Sequence, residues 1–107
     1  MYKSLAGFIT RLTDNISYKS RHLPVPREAY DLLREKLADG DYSYLEIRDG
    51  KAIEIVKVIN TCDRIVIERG AERTRATAFR CGTGVSFTLT MQSIKDTICQ
   101  MERCDDL

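Results

Sequence analysis

The chain has 107 residues, 43% of them hydrophobic and 31% charged, with a net charge of +1. That balance fits one folded domain over residues 1–107, excludes a disordered chain, and leaves no global field toward nucleic acid or an acidic membrane. With no Trp and only three Phe, the core has to be built from Ile, Val and Leu.

The first residues lack the apolar run of a secretory signal, and no stretch approaches the ~18 apolar residues of a bilayer span. Membrane insertion is therefore not expected. Cys62, Cys81, Cys99 and Cys104 are too sparse for a disulfide scaffold, so reduced thiols are the expectation.

Residues 5–17 read as a strand, with Phe8 and Leu12 on one face and Ile9, Arg11 and Thr13 on the other. Asp14-Asn15 marks a bulge or turn within it. Residues 20–25 form a second extended piece in which Leu23 and Val25 share a face, and Pro24 suits an edge. A helix is predicted over 26–38. Pro26 fits its first position, where the missing N–H costs nothing. Acidic Glu28 and Asp31 sit near its start, and basic Arg34 and Lys36 near its end, as the helix dipole favours. Tyr30, Leu33 and Leu37, with Leu32 beside them, give the apolar stripe, and Gly40 fits the position just past the C-terminus.

Residues 42–59 read as a hairpin around Asp49-Gly50. A two-residue Asp-Gly loop pairs Leu45 with Glu54. A three-residue loop pairs Leu45 with Ile53 and Ile47 with Lys51, keeping Leu45, Ile47, Ile53 and Ile55 on one face, and is preferred. Val56 and Val58 then fall out of phase, which calls for a bulge near Ile55-Val56 or a strand buried on both faces. A turn at 60–63 and a strand over 64–69 follow.

Residues 65–87 then read as strand, compact loop, strand, with Gly70, Gly82 and Gly84 at special backbone positions. Thr90 or Ser93 caps a last helix, about 91–102, with Met91, Ile94, Ile98 and Met101 in a stripe. The tail, 104–107, is expected to fray. The predicted fold is α+β: an antiparallel, hairpin-rich sheet, with helix 26–38 packed on it and a C-terminal helix.

Catalytic and metal readings find little to stand on. There is no Cys-x-x-Cys, Cys99 and Cys104 are five apart, and His22 is the single histidine, so neither metal nor cofactor is expected. Cys62 and Cys81 read as small, partly buried residues. His22 reads as a surface residue of an extended segment. Glu46 and Glu54 face each other across the hairpin as surface charge beside Arg48 and Lys57. No enzyme is expected. Arg64, Arg69, Arg73, Arg75 and Arg80 crowd one segment and offer phosphate contacts, an alternative role in nucleic-acid binding. Against it stand the near-zero net charge and the lack of interleaved aromatics apart from Phe79. The Met91, Ile94, Ile98, Met101 stripe has two readings: a helix packed on its own sheet, or a seam toward another copy or partner.

The run Ile67-Glu68-Arg69-Gly70-Ala71-Glu72-Arg73-Thr74-Arg75-Ala76-Thr77-Ala78-Phe79-Arg80-Cys81-Gly82-Thr83-Gly84-Val85 resembles a recurring module of tailed-bacteriophage virion proteins. The shared pattern is Arg69-Gly70, then Thr74, Ala76, Ala78, Phe79, Gly82 and Val85. Ala71 stands where that module usually has Gln, and Arg73 where it has a second Gly. Upstream, Leu23-Pro24-Val25, Tyr44-Leu45-Glu46-Ile47 and Glu54-Ile55-Val56-Lys57-Val58 are also similar, so the likeness covers roughly 7–90. It implies a non-enzymatic phage or prophage tail, fibre or baseplate component. Such a component docks onto other virion proteins or copies of itself, as a homo-oligomer, in the host cytoplasm and then in the virion. Gly70, Thr74, Ala76, Ala78, Phe79 and Gly82 would shape the loop. Arg69, Arg73, Arg75 and Arg80, with Met91, Ile94, Ile98 and Met101, would face the partner.

Overall fold

A computed structural model describes residues 1–105. Five strands form one antiparallel sheet in the order β1-β5-β2-β3-β4: β1 (Ile9–Arg11), β2 (Tyr42–Asp49), β3 (Ala52–Asn60), β4 (Ile65–Ala71) and β5 (Gly84–Phe87). Helix α1 (Arg27–Lys36) covers one face, and α2 (Met91–Asp105) is the last element among the described residues. This is the α+β fold expected.

Alternation decides which side chains meet α1. Leu45 and Ile47 of β2, Val56 and Val58 of β3, Ile65 and Ile67 of β4 and Val85 of β5 are all buried, and Leu33 and Leu37 of α1 pack into the same core. The rest of that face is roofed by the N-terminal segment through Leu5, Phe8, Leu12, Ile16 and Leu23, and by Phe79. Phe8 and Leu12 point inward while Ile9, Arg11 and Thr13 stay exposed. The segment is not one long strand, however. It breaks at Gly7 (φ +88) and again after Arg11, and rejoins only as a bridge between Ile16 and Phe79.

Residues 20–25 form no strand. They still work as an edge cover, because Ile67 N–H donates to the Arg21 carbonyl and Thr13 N–H to that of Pro24. Helix α1 starts one residue later than predicted, with Pro26 as its cap. Its end is held differently too. Leu37 is extended there, its carbonyl accepts from the Asn60 side chain, and Ala38 N–H donates to Asp41 Oδ2 at 3.0 Å. Gly40 (φ +84) makes the reverse turn beyond instead of closing the helix.

The hairpin register differs from both alternatives. Arg48 pairs with Ile53, Ile47 with Glu54 and Leu45 with Val56, leaving Gly50-Lys51 as the two-residue loop. Only Gly50 has positive φ, the pattern of a type II′ turn. This register puts Glu54 in phase with Val56 and Val58, so no parity switch is needed and Ile53 points outward, 39% exposed. A bulge does exist, one strand over. Between the pairs Ile55–Ala71 and Lys57–Glu68, two β4 residues, Arg69 and Gly70, oppose the single residue Val56.

Candidate functional site

The tract after that bulge is built around one buried ion pair. Arg69 Nε donates to Glu54 Oε2 at 2.7 Å and Arg69 Nη2 to Glu54 Oε1 at 2.7 Å. The other guanidinium N–H groups reach the carbonyls of Thr77 (2.6 Å), Ser20 (3.1 Å) and Ser17. A guanidinium has five N–H donors, and each has an acceptor here. Glu54 completes its own set with the backbone N–H of Gly70 (2.9 Å) and of Thr77 (2.8 Å). Its side chain is 0% exposed and that of Arg69 8%. Burial pushes the Glu54 carboxyl up. The hydrogen bonds from Arg69, then those from Gly70 and Thr77, outweigh it and hold the group below its ordinary range.

Two sequence expectations are corrected by this. Arg69 does not face a partner: it is a saturated internal residue tying segment 17–20, β3 and the 72–79 loop together. Glu54 is not surface charge opposite Glu46, which lies on the other face of the sheet, half-buried beside Arg48. Glu46, Glu54 and His22 do not converge, since His22 lines a surface cavity of about 680 Å³ with Arg21 and Arg64.

The loop residues sit as follows. Gly70 (φ +62) holds a backbone conformation that strains any other residue, and a Cβ there would crowd the Thr74 carbonyl oxygen at 3.1 Å. Thr74 Oγ1 accepts from Ile55 N–H at 3.0 Å and donates to the Ala71 carbonyl at 2.6 Å, serving the β3 edge where the bulge breaks the ladder. Ala76 is half-buried and Ala78 exposed. Phe79 is buried and exchanges backbone hydrogen bonds with Ile16 in both directions, and Gly82 has φ +91.

Glu72 and Arg73 both have positive φ (54° and 65°), and Thr74 N–H closes onto the Ala71 carbonyl at 3.0 Å, the pattern of a type I′ turn. Arg73 thus keeps a conformation suited to glycine at some cost. Arg73→Gly should gain about 0.5–1 kcal/mol net of the glycine's unfolded-state entropy. Thermal unfolding would show it as a Tm higher by a few degrees.

Arg73, Arg75 and Arg80 are exposed, as is Arg64. They do not form one patch. Arg64 precedes β4 and Arg73 follows it, so a whole strand separates them. Cys62, Cys81 and Cys99 are free and exposed, not partly buried as expected for the first two.

Helix α2 is the second notable feature. Thr90 and Ser93 cap it reciprocally: Ser93 N–H donates to Thr90 Oγ1 (3.0 Å) and Thr90 N–H to Ser93 Oγ (2.8 Å). It runs through Asp105, past the predicted end at 102; residues 106 and 107, the end of the expected frayed tail, lie outside the described residues. The helix hangs on the sheet face opposite α1 by polar groups. The Tyr42 hydroxyl donates to Asp96 Oδ2, Gln92 N–H to Glu72 Oε1 (3.0 Å), and Tyr2 N–H to Gln100 Oε1 (2.8 Å). The rings of Tyr2, Tyr42 and Tyr44 lie edge-on and stacked with centroids 5.9–6.2 Å apart, and Lys57 Nζ sits 4.2 Å from the Tyr42 centroid. Burial and then the hydrogen bond it donates to Asp96 push the Tyr42 phenol above its ordinary range. Tyr44 is pushed up to about 12 by burial and then by the Asp96 charge.

The apolar stripe points away from all of this. Met91 is 65% exposed, Ile94 39%, Ile98 50% and Met101 63%. The reading in which the stripe packs on its own sheet is therefore corrected. The sequence carried a second stripe, the polar one of Gln92, Ser93, Asp96 and Gln100, but not which of the two meets the body.

Among the described residues no helix is long and apolar enough to cross a membrane. Comparison with protein-family models, with characterised proteins and with solved structures finds no match.

Proposed function

We propose that this chain is a structural component of a tailed-phage or prophage virion, of the tail, fibre or baseplate, and that it works by docking. The observation that supports this reading is the orientation of α2, anchored by its polar side with four large apolar side chains held out to solvent. Such a stripe on a capped helix costs solubility unless something covers it. The resemblance of 67–85 to phage virion modules adds the setting, and its Arg-Gly, Thr and Phe positions here shape the loop. The partners are other virion proteins or copies of this chain, met in the host cytoplasm and retained in the virion.

Nucleic-acid binding through 64–80 draws less support, since Arg69 is internally saturated and the exposed arginines are split between two ends of β4. The deciding experiment is mass spectrometry of purified tailed particles from the host that carries the gene. The chain should be recovered as a multi-copy particle component. Finding it only in the particle-free lysate would reject the reading.

A further inference from the structure

We propose that the occupant of the α2 stripe is a second copy of this chain, bound through an antiparallel pair of α2 helices about a two-fold axis. This rests on the docking reading and adds the partner. At about 100° per residue, Met91, Ile94, Ile98 and Met101 fall within an arc of roughly 80°. Gln92, Ser93, Asp96 and Gln100, which face the body, centre about 170° away. Pairing through the stripe therefore disturbs none of the contacts that hold α2 in place.

The spacing singles out self-pairing. The four residues are separated by three, four and three positions and run Met, Ile, Ile, Met. Reversing the helix direction returns the same order. A two-fold axis through the stripe, level with position 96 but on the side of the helix away from the Asp96 side chain, stacks Met91 on the partner's Met101 and Ile94 on the partner's Ile98, large on large at the ends and β-branched at the centre. A closed two-fold interface requires such self-complementarity. The spacing is also that of alternate a and d positions in a heptad seam.

The area is adequate when the residue before the cap is included. Leu89 is 66% exposed, and it and Ile94 hold the flanking positions of a hydrophobic staple, which puts Leu89 at the N-terminal end of the stripe. Even if fully covered, the five side chains bury roughly 550 Å² per copy, a ceiling of about 1,100 Å² in a symmetric pair and at the low end for a specific interface. A dimer of micromolar affinity is the expected result.

The test uses the full chain with Ile94→Glu and Ile98→Glu together. Sedimentation velocity from about 1 to 200 µM should show the parent passing from monomer to dimer and the variant staying monomeric. At a concentration low enough for both to be monomeric, circular dichroism and Tm should be close for the two, because neither side chain belongs to the core cluster. A parent that stays monomeric at the highest concentration overturns the dimer while leaving docking onto a different virion protein standing. A variant that dimerises as the parent does overturns it as well. Geometry is read in a background with the native cysteines changed to Ser. Met91→Cys mixed with Met101→Cys should cross-link on oxidation, and neither alone should. Cross-linking of either single variant with itself indicates parallel helices and overturns the antiparallel pair.

Discussion

Arg69→Ala should destabilise the fold by about 3–5 kcal/mol at neutral pH, the loss typical of removing one partner from a buried ion pair. The guanidinium is not an ornament on the carboxylate. Its loss strands Glu54, fully buried, with two backbone N–H groups in place of four donors. It also leaves the Ser17, Ser20 and Thr77 carbonyls without that donor. A domain of this size has about 5–15 kcal/mol in total, so the variant should unfold at much lower urea than the parent.

The pH dependence separates this account from a mere packing defect. In the parent, Glu54 is held below its ordinary value. Its stabilising contribution is complete above the unfolded value of about 4.3 and is lost as the pH falls through the folded value. In the variant burial acts with no guanidinium against it, and the folded-state pKa rises. Protonation then relieves the variant, so the gap between variant and parent should narrow as the pH drops from 7 to 4. Urea midpoints across that range measure it. A constant gap, or a loss below about 1 kcal/mol at pH 7, would show that the pair does not organise the loop. Replacing both partners, Glu54→Gln with Arg69→Met, should cost less than Arg69→Ala alone, because no unpaired charge is left inside.

The same pair explains what could and could not be read from the sequence. Helix α1 and its stripe, though not the C-terminal end that Asn60 and Asp41 hold, were legible because charge and periodicity are local. So was the strand-loop-strand character of 65–87, where Gly70 and Gly82 take the positive φ values expected of them. The hairpin register was not. Keeping apolar residues together favoured Ile53 and Ile55 over Glu54, a sound rule for a carboxylate with no partner. Here the partner comes from β4, 15 positions along the chain, and the bulge at Arg69 and Gly70 places it. Glu54 in phase with Val56 and Val58 was the trace of that arrangement, and a period-two pattern cannot tell an inward glutamate from a register error. For α2 both stripes could be read. Which one meets the body depends on Asp96 reaching Tyr42, a contact across 54 positions that no local pattern carries.

Phe79→Ala should be nearly as damaging, at about 3–5 kcal/mol, the usual range for a buried phenylalanine. Its ring is 3% exposed and belongs to the same core cluster as Leu12, Ile16 and Leu23. This is the aromatic that closes an otherwise irregular loop onto the sheet. Its backbone exchanges two hydrogen bonds with Ile16, at 2.9 and 3.0 Å, and two residues earlier Thr77 N–H meets Glu54. Truncation should therefore do more than open a cavity. It should loosen 72–79 and the roof segment around Ile16 together. Hydrogen exchange should then speed up at the amides of Ile16, Thr77 and Phe79 more than at those of Val56 and Val58 in the central hairpin. Phe79→Leu, which keeps most of the volume, should cost closer to 1–2 kcal/mol. Because Phe79 and Arg69 secure the same loop, the double Ala variant should lose less than the sum of the two singles. Full additivity would mean that the ion pair and the aromatic anchor hold independent parts of the molecule, and an Ala variant within about 1 kcal/mol of the parent would mean that the loop closes without its ring.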